Sequence, residues 1–229
     1  MNYNNNIVKK PWGYEYLVYE NNEIGIWFLN INKNQSTSLH CHPKKNTGLI
    51  VLDGIGEITC VPSVIPTGKK IINGLGKTTL RRGLFHSTKA LSDSLLLLEV
   101  ETPKDKHDLV RLSDNYGREF KPYEDSSFEM PKESDCLWIE EPDVNNFNTY
   151  EFGNCTLKVE TISNIDIINN KLDTDLLIFL QGGLVRTIEG KDHLVTVPGE
   201  VGLAYHIKQI STKLDGVSNN TIILTIKKD

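Results

Sequence analysis

Residues 39–58 read LHCHPKKNTGLIVLDGIGEI, and this stretch carries the main evidence for the fold. Two runs rich in apolar residues flank Gly54, a pattern typical of two strands joined by a tight turn. Just before them, His40 and His42 are two residues apart, and on a strand such residues point to the same face. The stretch therefore predicts a β-hairpin preceded by two imidazoles that share one face.

Short runs of β-branched, aromatic and leucine residues recur along the chain between turn-forming residues. They lie at 24–31, 49–52, 55–61, 95–100, 157–162, 176–180, 184–188 and 221–226. Many short strands at close spacing are typical of a sandwich or a barrel. No segment before Pro103 keeps a helical period, so we expect only short helical turns, near 104–114 and 131–139. The predicted fold class is all-β.

An internal repeat predicts two domains. The stretch GLIVLDGIGEI at 48–58 resembles LLIFLQGGLVRTI at 176–188, and GLFH at 83–86 weakly resembles GLAYH at 202–206. Two copies of one β-unit explain a chain of 229 residues, with a boundary in the polar segment that follows the first copy. We expect a first domain at residues 1–122 and a second at residues 123–229.

A third histidine completes a candidate metal site. His86 follows a glycine turn some thirty residues after the hairpin, so it can join His40 and His42 on one face. Neutral imidazoles suit one divalent ion, and Zn, Mn, Ni, Co and Fe all remain open. The alternative is that three of the six histidines are unrelated and lie at this spacing by coincidence.

The order H-x-H, strand, glycine and then G-x-x-H resembles the two motifs of the cupin superfamily. This resemblance implies two cupin barrels, which are double-stranded β-helices or jelly rolls. The second would be degenerate and without metal, because it lacks an H-x-H and keeps only His206 at a motif position.

A narrower resemblance covers residues 8–118. The segments KPWG at 10–13, 38–57 and 97–118, which ends in D-x-V-R-x-x-D-x-Y-G-R, resemble the cupin domain of type II mannose-6-phosphate isomerases. That family implies a metal-dependent aldose–ketose isomerase or epimerase for sugar phosphates, in carbohydrate or surface-polysaccharide metabolism. The chain is identical to the family at Glu99, Asp108, Arg111 and Arg118, and it keeps the ligands His42 and His86. It departs from the family at His40 (Gln in the family), Thr47 (a ligand Glu) and Lys45 (Arg).

Glu99 is the candidate general base. Alternation along 95–101 places Glu99 and Glu101 on the same face as two leucines, and apolar surroundings would raise a carboxyl pKa toward neutrality. The other interpretation is that both acids face solvent. Lys45 and Arg111 are candidates for binding a phosphate or an acidic sugar, and each is equally interpretable as an ion-pair partner.

Charge and composition indicate which kinds of partner the protein binds. The net charge is −5, and the basic residues are scattered, so we expect a small sugar or sugar phosphate as ligand and no nucleic acid. No apolar run has the length of a signal peptide or a membrane span, so we expect a cytoplasmic protein with no membrane contact. An exposed edge strand would make a homodimer plausible.

Two other functions stay open. A three-histidine cupin dioxygenase, with iron, explains the absence of a carboxylate at Thr47. A non-catalytic sugar-binding bicupin explains the altered ligand set as lost activity, and fold alone does not separate these functions.

Overall fold

The computed structural model describes residues 6–61, 68–119, 128–129, 136–144 and 146–229. The chain forms two compact units, Met1–Cys136 and Leu137–Asp229. The boundary expected between residues 122 and 123 lies outside the described residues. Strands dominate both units, and the all-β prediction is confirmed.

The first unit contains twelve strands in its described residues. They are β1 (Ile7–Lys10), β2 (Gly13–Glu20), β3 (Gly25–Asn32), β4 (Leu39–Cys41), β5 (Asn46–Asp53), β6 (Ile55–Val61), β7 (Lys69–Asn73), β8 (Lys77–Leu80), β9 (Phe85–Ala90), β10 (Ser94–Thr102), β11 (Val110–Ser113) and β12 (Phe128–Glu129). All the pairings between them are antiparallel.

These strands form two sheets. One has the order β12-β1-β2-β3-β10-β5-β8, and the other has the order β11-β4-β9-β6-β7. The eight strands β3 to β10 thus alternate between sheets as β3-β10-β5-β8 and β4-β9-β6-β7, which is the strand order of a double-stranded β-helix. The first unit is therefore a jelly roll with additional strands at the edges.

The core of the first unit lies between the two sheets. Side chains such as Trp27, Leu49 and Leu97 from one sheet meet Ile58 and Ile72 from the other. Between β5 and β6, Gly54 has a φ of +89°, and a Cβ there would lie 2.3 Å from the carbonyl oxygen of Ser94. The turn therefore requires glycine.

The described residues of the second unit form eight further strands and two helices. They are β13 (Phe147–Phe152), β14 (Cys155–Ile162), α1 (Asp166–Asn169), β15 (Leu176–Gln181), β16 (Leu184–Ile188), β17 (Lys191–Leu194), β18 (Val201–Leu203), α2 (Ala204–Ser211), β19 (Gly216–Val217) and β20 (Thr221–Lys228). The sheets have the orders β13-β14-β20-β15-β18 and β17-β16-β19.

The second unit repeats the first with one strand missing from its described residues. The order β14-β20-β15-β18 matches β3-β10-β5-β8, and β19-β16-β17 matches β9-β6-β7. The strand pairs β5/β6 and β15/β16 are the two copies of the sequence repeat. Neither is the expected hairpin, because in each pair the glycine turn carries the chain from one sheet to the other. At the place of β4 along the chain the second unit has the helix α1, so it lacks the counterpart of the strand that carries His40.

Helix placement differs from expectation. The segment 104–114 contains no helix and instead includes β11, whose residues Val110, Arg111 and Ser113 pair with β4. Of the segment 131–139, residues 131–135 lie outside the described residues. Within the described residues, neither helix has the length and apolar character needed to cross a membrane.

Candidate metal centre

Three imidazoles converge at one end of the first unit. His40 lies on β4, His42 directly follows that strand, and His86 lies on β9 opposite His40 in the pairing. The ring centres lie 4.5 Å apart for His40 and His86, 4.9 Å for His40 and His42, and 5.3 Å for His42 and His86. One ring nitrogen from each histidine lies within 4.8 Å of the others, so this group can hold a metal ion.

Hydrogen bonds fix the orientation of all three rings. The Nδ1 atoms lie 2.8 Å from the carbonyl oxygen of Ser38 for His40, 2.7 Å from that of Asp108 for His42 and 3.0 Å from that of Leu84 for His86. A carbonyl oxygen only accepts, so each Nδ1 carries the proton and each Nε2 keeps its lone pair. This is the arrangement that metal-binding histidines commonly have.

The surroundings keep the imidazoles neutral. Burial lowers the pKa of His42 to about 2 and that of His86 to about 4. Burial, together with His86 and His42, also lowers the pKa of His40 well below its usual value. His42 Nε2 is buried and has no hydrogen-bond partner among the described residues. An uncharged, unpartnered nitrogen that faces two others fits a divalent metal ion.

Glu99 lies beside the imidazoles. It is 6% exposed, and its Oε1 lies 3.9 Å from His42 Nε2. Glu101, two residues further along β10, is 1% exposed, so neither acid faces solvent. Burial raises the pKa of the Glu99 carboxyl, Lys106 opposes this rise, and Glu101 adds to it.

Lys106 connects the carboxylates of the site, and its sequence context gave no sign of this role. Its Nζ lies 3.4 Å from Glu15, Glu99 and Glu101 and 4.1 Å from the ring centre of Trp27. Burial disfavours the charge on Lys106, but the three carboxylates outweigh it and raise the pKa of the ammonium. A buried cation is therefore held among three acids.

The two predicted substrate-binding residues have different surroundings. Lys45 is 1% exposed, and its Nζ donates hydrogen bonds to Glu101 Oε1 at 2.6 Å and to the carbonyl oxygen of Asp105 at 3.0 Å. Arg111 is buried on β11, directly opposite His40. The ammonium of Lys45 is thus an internal ion-pair partner, whereas Arg111 stands next to a candidate metal ligand.

The three imidazoles line one open pocket together with Lys45, Glu99, Glu101, Lys106 and Arg111; its space, including the open solvent at its mouth, is about 580 Å³. Its basic lining residues are Lys10, Lys45, Lys106, Arg111 and Arg118, and its acidic ones are Glu15, Glu99 and Glu101. Lys10, Lys45 and Lys106 form ion pairs with these acids, and Arg118 pairs with Asp114. Thr47 is 1% exposed, and its Oγ1 has no hydrogen-bond partner among the described residues.

Among the described residues, His206 is not part of a group of side chains that could hold a metal ion. It is on α2 and is exposed, where its ring packs against Tyr205 with the ring centres 5.3 Å apart. The segment 202–206, which weakly resembles 83–86, therefore leads into a helix in the second unit, whereas 83–86 leads into a strand in the first.

No protein-family model matches the chain, and no curated protein sequence matches it. Among solved structures, the chain is similar to KdgF from Halomonas sp., with 13% identity, a TM-score of 0.40, and coverage of 43% of this chain and 88% of that chain. It is also similar to a conserved protein with a double-stranded β-helix domain from Klebsiella pneumoniae, with 14% identity, a TM-score of 0.39, and coverage of 44% and 79%.

A third similarity is to the cupin domain of Cnp3 from Schizosaccharomyces pombe, with 11% identity, a TM-score of 0.36, and coverage of 40% of this chain and 64% of that chain. At these values the similarities support no inference about activity. The strand order of the first unit establishes its double-stranded β-helix without them.

Proposed function

We propose that this protein is a metal-dependent enzyme that interconverts phosphorylated aldoses and ketoses. The observation that carries the proposal is the joint position of three oriented, neutral imidazoles and the buried carboxyl of Glu99 in one open pocket. Metal ligands and a general base at such close range are what an isomerisation by proton transfer requires. The resemblance of residues 8–118 to type II mannose-6-phosphate isomerases supports the same reaction class.

His40, His42 and His86 would hold one divalent ion, which is Zn, Mn, Ni, Co or Fe. When bound, such an ion polarises the carbonyl and hydroxyl oxygens of an open-chain sugar and so acidifies the intervening C–H bond. The residues fit this ion, because no described group forms a hydrogen bond with His42 Nε2 and its lone pair is therefore unused.

Glu99 would move the proton. In its ionised form it would accept the proton of the hydroxyl-bearing carbon next to the carbonyl group and return it to the former carbonyl carbon, while the proton of that hydroxyl group passes to the former carbonyl oxygen. Burial raises the pKa of Glu99, which makes the carboxylate a better base than one in water. Lys106, 3.4 Å from Glu99 Oε2, opposes this rise in pKa and so favours the ionised form that accepts the proton.

Arg111 would bind the phosphate group. A guanidinium offers paired donors that match phosphate oxygens, and Arg111 lines the pocket beside His40. Lys45 would contribute positive potential to the pocket rather than a direct bond, since its Nζ already donates to Glu101 and Asp105.

The test combines metal analysis with turnover. Purified protein should contain about one equivalent of Zn, Mn, Ni or Co, and His40→Ala should lose it. Loaded protein should interconvert an aldose 6-phosphate and its ketose, with mannose 6-phosphate as the first substrate. Glu99→Gln should lower turnover at least ~100-fold and keep the metal, because a general base typically contributes that much.

The matched control is Glu23→Gln, which changes an exposed acid on the same unit and should leave turnover unchanged. Full activity in Glu99→Gln would remove this residue from the mechanism. A protein that binds sugar phosphates without changing them would instead favour the non-catalytic sugar-binding bicupin.

Thr47 favours a second candidate, a three-histidine iron dioxygenase. Its hydroxyl is buried where the isomerase family has a ligand carboxylate, so position 47 supplies no acidic ligand. Iron in the purified protein, together with oxygen consumption in the presence of small thiols or diketones, would support this candidate over the isomerase.

A further inference from the structure

The three orienting hydrogen bonds of the imidazoles differ in how far they reach along the chain. His40 and His86 each use the carbonyl group two residues before them. His42 uses the carbonyl group of Asp108, which is 66 residues away. The orientation of His42 therefore depends on the position of a separate backbone segment, whereas the other two rings are oriented by their own strands.

The side chain of Asp108 fixes that segment to the loop after His42. One carboxylate oxygen, Oδ2, accepts hydrogen bonds from the backbone N–H of Lys44 at 2.8 Å and of Lys45 at 3.0 Å. Asp108 is 7% exposed, so these bonds are shielded from water. The same residue thus holds the loop through its side chain and His42 through its carbonyl oxygen.

The side chain of Lys45 adds a further hydrogen bond between the loop after His42 and the segment that contains Asp108. Its Nζ donates to the carbonyl oxygen of Asp105, and that oxygen also accepts from the N–H of Asp108 at 3.1 Å. We call this set, formed by Lys44, Lys45, Asp105 and Asp108, the clasp. It ties the 105–108 segment to the loop between β4 and β5 at both ends.

We propose that Asp108 is a positioning residue for the metal centre, which sets the ring orientation and tautomer of His42 through the clasp. This inference rests on the proposed metal site. Removing the Oδ2 acceptor leaves two N–H groups without their partner and frees the segment that carries the carbonyl group for His42 Nδ1. Loss of such an outer partner typically lowers metal affinity about 10- to 100-fold.

The experiment compares two substitutions at this position. Asp108→Ala removes the acceptor. Asp108→Asn keeps an amide oxygen, and because a single oxygen accepts both bonds in the structure, it should preserve the clasp. Asp93→Ala, which removes an exposed aspartate paired with Lys33 on the surface, is the matched control.

Two readouts are measured on each protein. The first is the dissociation constant for Zn, Mn, Co, Ni and Fe(II), each added to metal-free protein. The second is the tautomer of His42 in the metal-free protein, measured by long-range ¹H–¹⁵N NMR. We expect Asp108→Ala to bind metal about 10- to 100-fold more weakly and to lose the single Nδ1–H tautomer, while Asp108→Asn and Asp93→Ala match the wild type.

Unchanged metal affinity and an unchanged tautomer in Asp108→Ala would overturn the inference, as would an Asp108→Asn variant as weak as Asp108→Ala. If Asp108→Ala does not fold, Asp108→Glu replaces it, because the extra methylene displaces the acceptor and should weaken metal binding in the same way. A wild-type protein that binds none of the five ions would overturn the metal site and the proposed function, and the tautomer of His42 would still decide whether the clasp orients the ring.

Discussion

The ion pair between Lys45 and Glu101 leads to a prediction about stability. Both side chains are 1% exposed, and Nζ lies 2.6 Å from Oε1. Glu101 Oε2 has no hydrogen-bond partner among the described residues, so Lys45 provides much of the compensation for this buried charge. Lys45→Met would fill similar space without the ammonium and leave a buried carboxylate facing the remaining lysine.

Removal of one partner from a buried ion pair costs about 3–5 kcal/mol of unfolding free energy. Lys106 Nζ, 3.4 Å from the same Oε1, offsets part of this cost, so we expect about 3 kcal/mol for Lys45→Met. The double variant Lys45→Met with Glu101→Gln has no uncompensated charge, and we expect it to lie within about 1 kcal/mol of the wild type.

The assay is urea unfolding at pH 7, followed by circular dichroism, on the wild type, both single variants and the double variant. A loss below about 1 kcal/mol in Lys45→Met would refute the reasoning. So would a double variant as unstable as that single variant, because the cost would then come from lost packing and not from the unpaired carboxylate.

Three further predictions follow from the same geometry. Lys106→Met should shift the acidic limb of the pH–rate profile to higher pH, because Lys106 opposes the rise in the pKa of Glu99; an unshifted limb would exclude this coupling. Burial acts to raise the pKa of Asp114, but hydrogen bonds from Arg118 outweigh burial and lower this pKa. The pair therefore stabilises the fold above the unfolded-state pKa of Asp114, and this stability is lost as the pH falls through the folded-state pKa. Urea unfolding at pH 5 and pH 3 should therefore show a smaller acid loss in Asp114→Asn, and an equal loss would contradict this. Gly54→Ala should cost more than about 1 kcal/mol, measured by thermal unfolding, because a Cβ meets a carbonyl oxygen at 2.3 Å.

The sequence was informative about the site where residues two apart on a strand share one face of the sheet. His40 lies on β4 and His42 is two residues further, directly after that strand, and the glycine before His86 marks a turn into another strand. The structure brings all three together. Alternation along β10 also placed Glu99 on the same face as the leucines of the core, and the structure buries it beside His42.

The remaining parts of the site depend on contacts that no local pattern records. Lys106 lies between strands in an irregular segment, and only the fold brings it to three acids on β2 and β10. Asp108 acts partly through its backbone carbonyl group, which every residue has, so its identity alone does not reveal the bond to His42. Lys45 has the sequence context of a surface lysine but is one of the most buried side chains.

The second unit illustrates the same limit for the fold. The repeat at 176–188 predicted a second copy of the strand–turn–strand unit at 48–58, and β15 and β16 form this copy, but in both units the two strands lie in different sheets and not in a hairpin. The replacement of one strand by α1 had no sequence signal, because four residues of helix are too few to show a 3.6-residue period.

The unequal reach of the three orienting bonds also affects the order of events as the chain folds. The carbonyl groups that orient His40 and His86 are present as soon as their own strands form, since each is two residues away. The carbonyl group that orients His42 is in place only when the chain through Asp108 has folded back against the loop after β4. This contact closes a loop of 66 residues, so we expect it to form late in folding. Tight binding of an ion at the proposed metal site should therefore follow, and not guide, the closure of the barrel.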